Sequence, residues 1–503
     1  MNSCLQAFLW LMLCALVGAG MLFLFDDSCQ IDGGQHYLFA RWAWTHHELF
    51  VGVWSRPLFT FFYSFPALVS FRAARALTVL ICLAIAWQTW RLAEDFKLCR
   101  APLSIVLLFL QPSFFLFCAD TMTEPIFALV YVVALRLHHR GKRIAGMIVA
   151  SLMVLARPEG FFLAALWAFW ELRSAECGVR SAENPARLDR PSTISKTWEA
   201  AKSAIRNPQS AIRLLFLATG AFLWWLAALL LTGDPLFIKH NWPTNWPMTG
   251  TVYGAHGLIA YPSRLPEVVG LFLLPVFVYG LVWLLKKRQL FTLTSSFLLI
   301  FVLHTILRAY GLLGSAGYPR YLVAISPAIA LITLAGWNQM AKRFAHVSRP
   351  IRIGCAAIIL ATSAWCNFVY ADGAEWSRDA QAIGALHRQF QMELTQPVIT
   401  RFVWSKPYAC ILFDRDPWEN PAFTRNREPD LQTLRDLPAG TLAVWDARIG
   451  PKEFGLRSED FQASGFSLLK SQSFNLKGYV IDRAWFGFGG PREQTVYLLY
   501  KLR

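Results

Sequence analysis

Long apolar runs broken by short basic stretches set the plan of this chain. The first run, 5–25, is apolar except for Gln6 and crosses roughly 30 Å of hydrocarbon at about 1.5 Å per helical residue. No Lys or Arg precedes it, and it outlasts the apolar core of a cleaved signal, so it reads as a permanent first helix. Further apolar runs near 74–90, 102–118, 124–137, 144–156, 160–172, 213–232, 267–285, 290–307, 321–337 and 353–370 bring the expected total to eleven transmembrane helices. Several are short and need shielding by neighbouring helices.

Basic clusters orient the spans. Arg91, Lys97 and Arg100 form the first, His138 to Arg143 the second, and the stretch from Arg173 to Arg213 the third. Lys286 to Arg288 follow, and then Lys342, Arg343, Arg349 and Arg352. Placing each in the cytoplasm puts the N-terminus inside and the C-terminal region outside. That parity requires 144–172 to be two spans, turned at Arg157-Pro158-Glu159-Gly160, where proline and glycine favour a break.

Residues 1–370 are therefore expected to form a polytopic α-helical transmembrane domain, with 173–213 as a low-complexity cytoplasmic loop. Within that loop Arg173-Ser-Ala-Glu176 recurs at Arg180 to Glu183, without the apolar stripe of a coiled coil. Residues 371–503 turn soluble in composition and predict a small α/β extramembrane domain. Its helices are expected at 379–390 and 430–436, and its strands at 397–403, 410–413, 441–445, 467–474 and 496–500.

Composition supports the membrane reading: 55% of the 503 residues are hydrophobic and only 16% are charged. The formal charge of +16 belongs to the topology rather than to nucleic-acid binding, because residues 371–503 carry 17 Lys and Arg against 16 Asp and Glu, leaving about +15 in the membrane half. The ten cysteines show no zinc-binding spacing and no CxxC. Cys29 and Cys410 fall on the expected outer side, where spacing leaves their pairing open.

Four outer segments carry the candidate chemistry. The first loop holds Asp26, Asp27, Asp32, His36, Arg41, His46, His47 and Arg56; the second holds Asp120 and Glu124. The loop after the seventh span adds Asp234, Lys239 and His240, and the one before the tenth adds Arg308, Tyr318 and Arg320. Taken singly, loop cations often only touch lipid headgroups, and Asp26-Asp27 could mark no more than a helix exit. Acids and cations drawn together from four loops suit a group-transfer site instead: a carboxylate can take a hydroxyl proton, and arginines can hold a phosphate.

These positions carry short motifs in a recognisable order: Asp26-Asp27 after the first span, Arg56-Pro57, Thr123-Glu124-Pro125, Arg157 to Gly160, Gly233 to Leu236, and Gly317 to Leu322. In that order the sequence resembles the GT-C superfamily of membrane glycosyltransferases, in the branch of protein O-mannosyltransferases and the aminoarabinose and lipopolysaccharide-core transferases. The resemblance implies a polyprenyl-phosphate sugar donor used at the outer face of a bacterial inner membrane, and a lipid, glycan or protein acceptor. It implies an inverting displacement with Asp26 or Asp27 as general base and Asp120 and Glu124 as alternative bases. Arg56, Arg157, Lys239, His240, Arg308, Tyr318 and Arg320 would bind donor and phosphate. A divalent metal is left open, since the acids could coordinate one or act alone. A transporter or lipid flippase, or an inactive scaffold, are the competing readings.

Overall fold

The computed structural model describes residues 2–24, 29–178, 208–242, 255–372, 375–392, 397–419, 430–476 and 492–502. Asp26, Asp27 and positions 179–207 of the expected loop lie outside the described residues.

Each expected apolar run folds as helix, but not as eleven full-length spans. Among the described residues six helices are long and apolar enough to cross a membrane: Ser3–Leu24, Phe71–Asp95, Ile212–Thr232, Phe291–Tyr310, Pro319–Arg343 and Arg349–Ala371. A seventh counts only if Pro262–Val269 and Leu274–Lys287, bent by 107° at Gly270, are one span. The shortfall has visible causes. Pro112 starts a new helix after Leu103–Phe109, splitting the third expected run. Arg143–Ser151 and Met153–Ala156 are separate pieces, and Glu124–His139 has 16 residues. Such pieces persist because their neighbours bury them: Phe114, Phe127 and Tyr131 are almost wholly enclosed.

The break at Arg157 occurs as the sequence predicts. Arg157 is extended at φ −160°, ψ 150°, and a new helix begins at Gly160. A β-carbon on Gly160 would stand 2.5 Å from the Met153 carbonyl carbon, so the chain folds sharply back on itself here. A second close approach joins Leu274–Lys287 to Ser326–Arg343. A β-carbon on Gly280 would lie 2.3 Å from the Ile332 carbonyl oxygen, and one on Gly336 2.1 Å from that of Val276. Small residues here let two backbones touch, as in membrane helix pairs.

Chain direction gives the bundle two ends. Glu124, Tyr310 and Arg320 lie at one; His139, Lys286, Lys287, Arg343 and Arg349 lie at the other. At the first end sit two shorter helices outside the expected spans, Ile31–Trp42 and Pro57–Val69. The latter buries Phe59 and Tyr63 while exposing Phe61, Phe62 and Phe65, the two-faced pattern of a helix lying along a membrane interface.

The C-terminal region is a four-stranded sheet in the order β1-β2-β4-β3, with β1 Arg401–Trp404, β2 Thr441–Asp446, β3 Phe466–Leu476 and β4 Arg492–Lys501. β1 and β2 are parallel and the other pairs antiparallel. Trp445 on β2 anchors one face against Phe454 and Phe461, donating its indole N–H to the Leu456 carbonyl at 3.0 Å. One expected strand is corrected: 410–413 lies in the helix Pro407–Phe413. Pro407 suits a first helical turn, and a short buried run carries no period that separates helix from strand. That helix packs on Ile31–Trp42, where Arg41 meets Asp414 at 3.4 Å and the His46 ring meets Asp416 at 2.7 Å. Cys29 and Cys410 are both buried and both free.

Candidate active site

A cavity of about 360 Å³ opens among the loops at the first end of the bundle. Its polar wall holds Asp32, His36, Arg56, Arg157, Glu159, His304 and Arg320. Phe161, Phe162, Leu303, Leu307 and Leu313 form an apolar side.

Local structure aims each group. Asp32 stands in the first turn of Ile31–Trp42, whose N-terminus is capped by the Gln30 side chain accepting from Gly33 N–H at 2.9 Å. Arg56 immediately precedes Pro57–Val69 with φ +61°, a strained backbone for an arginine, and its Nη1 donates to the Val53 carbonyl at 2.9 Å. Glu124 opens its helix ahead of Pro125. Arg320 rides on the 3₁₀ segment Pro319–Ile325, its guanidinium 4.5 Å from the Tyr318 ring centroid.

The charged groups form one continuous network. Asp32 pairs with Arg320, and Arg320 Nε lies 3.5 Å from Glu124 Oε1. The same oxygen is 2.7 Å from Arg157 Nη1. Arg157 then grips Glu159 with two donors, at 2.9 and 3.2 Å, and adds a bond to Thr123 Oγ1 at 3.1 Å. Glu159 Oε1 faces His304 Nε2 at 3.8 Å, and His304 stacks on Tyr321 with centroids 4.6 Å apart. Two arginines, Arg157 and Arg320, thus meet three carboxylates, and Glu124 is fully buried between them.

Burial and neighbouring charge set the protonation states. Burial alone would raise the Glu159 carboxyl, but Arg157 overrides it and holds the group down at about 2, so it is ionised. Burial lowers Arg56 to about 10, with Arg157 adding to the effect. Burial and the nearby Arg56 charge push His36 well below its ordinary value, leaving a neutral imidazole.

Of the residues expected to bind donor and phosphate, Arg56, Arg157 and Arg320 come together. Tyr318 braces Arg320 from outside the cavity wall. Arg308 donates to the Ser315 carbonyl at 3.2 Å and supports the loop rather than lining the cavity. Lys239 and His240 are exposed; His240 Nδ1 meets Asp234 Oδ2 at 2.7 Å, and it is Trp242 from this segment that reaches the wall.

Among the expected bases, Glu124 sits in the arginine network, one shell behind the lining residues. Asp120 is buried beside the site, accepting the backbone N–H of Gln30 at 3.2 Å and of Thr121 at 2.7 Å. It pins the start of Ile31–Trp42 to the second loop. Asp32 and His36 belong to the first loop and Glu159 to the Arg157–Gly160 turn, and the sequence assigns none of them a role. His304 went unremarked, although a histidine inside an apolar run is itself a signal. Among the described residues no group of three or more His, Cys, Asp or Glu is arranged to hold a metal ion.

No family model and no curated protein matches this sequence. The comparison with solved structures decides the fold: ArnT from Cupriavidus metallidurans, solved in the apo state, superposes with TM-score 0.59 over 98% of both chains at 13% identity. The chain shares the fold of ArnT. With six helices among the described residues long and apolar enough to cross a membrane, it is a multi-pass membrane protein with a small sheet at its C-terminal end.

Proposed function

We propose that this protein is an inverting glycosyltransferase that moves a sugar from a polyprenyl-phosphate donor to an acceptor hydroxyl at the outer face of the membrane. The observation that carries the reading is the convergence of Arg56, Arg157 and Arg320 on one cavity that also has an apolar side. A lipid phosphate needs both: charge-assisted donors for its head and an apolar exit for its tail. The similarity to ArnT supports the same reading through the fold.

In the reaction the acceptor oxygen attacks the anomeric carbon as the bond from that carbon to the phosphate oxygen breaks. The electron pair leaves with the phosphate, and the acceptor proton passes to a carboxylate. Arg157 holds Glu159 ionised, which makes it a poor proton acceptor, and Asp32 and Glu124 are taken up in ion pairs with Arg320 and Arg157. The resemblance assigns the base to the first-loop pair, Asp26 or Asp27, with Asp120 as the alternative. Arg56, Arg157 and Arg320 offset the charge that grows on the departing phosphate. The acceptor is a lipid, glycan or protein of the cell envelope, and the C-terminal sheet stands on the outer side with it.

The test is mass spectrometry of envelope glycolipids and glycoproteins from a deletion strain, paired with purified protein in vesicles and a labelled polyprenyl-phosphate sugar. A missing glycoconjugate together with sugar transfer in vitro supports the assignment. Movement of the labelled lipid between leaflets without transfer would make the protein a flippase instead.

A further inference from the structure

A second cavity, about 600 Å³, lies at the opposite end of the bundle. Its walls come from Leu274–Lys287, Ser326–Arg343 and Arg349–Asp372, and from Arg100. The 18 residues of Ser326–Arg343 span about 27 Å at about 1.5 Å per residue, so this cavity is a membrane thickness away from the arginine network. It takes no part in the transfer proposed above.

Its chemistry is amphiphilic. Val276, Trp337 and Ile359 form an apolar wall, while Arg100, Arg349 and Arg352 stand on its rim. Arg100 is held in place: its Nη1 donates to Asn338 Oδ1 at 3.1 Å, and Asn338 donates in turn to the Cys99 carbonyl at 2.7 Å. Arg352 Nε is buried without a hydrogen-bond partner among the described residues, an arrangement that is costly unless a ligand supplies the acceptor. Among the described residues no carboxylate lines the cavity, in contrast to the first site, where Arg157 and Arg320 each have an internal acid. The cavity therefore keeps an uncompensated positive rim above an apolar slot, at the basic end of a membrane bundle.

We infer that this cavity is a binding site for an anionic glycerophospholipid, its phosphate held by Arg100, Arg349 and Arg352 and an acyl chain laid along Trp337 and Ile359. Basic pockets between membrane helices recognise lipid headgroups in this way. The bound lipid would tie Arg349–Asp372, only 17% buried over its apolar window, to the two helices it faces.

The full-length protein, exchanged into phosphatidylcholine nanodiscs and titrated with phosphatidylglycerol, tests this by native mass spectrometry. The wild-type protein is expected to retain phosphatidylglycerol over phosphatidylcholine by at least about tenfold, the scale of one lost charge-assisted contact. The double variant R349Q/R352Q is expected to lose that preference. Ala356→Trp, which fills the slot without changing charge, should lose it too and guards against a trivial electrostatic effect. Equal retention of the two lipids by wild-type protein, or an unchanged preference in both variants, overturns the inference. Stronger retention of undecaprenyl phosphate than of phosphatidylglycerol overturns it as well, and would make the slot a polyprenyl-phosphate site. These readouts are independent of sugar transfer, so they stand or fall apart from the proposed activity.

Discussion

Glu124 Oε1 lies 2.7 Å from Arg157 Nη1, and through that contact the second loop is locked to the turn that separates two helices. The carboxylate is fully buried and also meets Arg320 at 3.5 Å. Its removal leaves two buried cations short of a partner. Glu124→Gln is therefore expected to destabilise the protein by about 3–5 kcal/mol, the scale of breaking a buried pair from one side. Thermal unfolding in detergent checks this, and a transition matching wild type would show that the network is not structural.

Asp26→Asn and Asp27→Asn keep the shape of the side chain and remove its proton affinity. The variant at the true base should lose roughly 10²–10⁴ in turnover with donor binding retained, the usual scale for general-base catalysis. Single-turnover rates beside donor-binding measurements separate the two aspartates. Near-normal turnover in both would move the base elsewhere, with Asp120 of the second loop next in line.

Arg320→Ala should act on affinity. It removes one charge-assisted contact to the lipid phosphate and frees Asp32 to repel it, so donor KM is expected to rise by about ten- to a hundredfold. Arg320→Lys restores the charge without the paired donors and should recover part of that loss. An unchanged KM in the alanine variant would remove Arg320 from the donor site.

Burial raises the Asp120 carboxyl to about 6 from 3.8, against the lowering pull of Arg75. Between those values the folded protein binds more protons than the unfolded one, so stability falls as pH rises through that window and levels off above it. At about 1.4 kcal/mol per unit the change is roughly 3 kcal/mol. Melting temperatures from pH 4 to 7 should show this slope in wild type and a flatter profile in Asp120→Asn. The same slope in both would assign the effect to other groups.

The Gly280–Gly336 crossing makes a steric prediction. A methyl at Gly336 would collide with the Val276 carbonyl, which belongs to backbone and cannot swing away. Gly336→Ala is expected to cost about 1–3 kcal/mol, the range for overpacking, while Gly354→Ala, where an added β-carbon meets nothing within 4 Å, should not. Thermal unfolding of the purified variant measures it.

Much of this molecule was legible because membrane helices announce themselves by composition. Every expected apolar run became helix, and the turn at Arg157 followed from Pro158, Gly160 and charge parity together. Length was less legible: Pro112 splits a run that hydropathy averages over, and burial by Phe114 and Tyr131 lets short pieces persist. At the candidate site, Arg56, Arg157 and Arg320 were legible as members of separate short motifs, and the fold brings them to one cavity. Asp32, Glu159 and His304 were harder, because their role depends on which side chain faces them across the fold, and sequence separation hides that. The helix at Pro407–Phe413 was misread as a strand since a buried run of four has no face to show.

The arginine network has a further consequence for turnover. Arg157 and Arg320 are already occupied by Glu124, Glu159 and Asp32, so under the proposed function an incoming phosphate would have to displace an internal rival. The protein carries its own competitive ligands. Such a site would grip the proposed donor less tightly than bare arginines would, and by the same measure it would release the spent lipid phosphate instead of being poisoned by it.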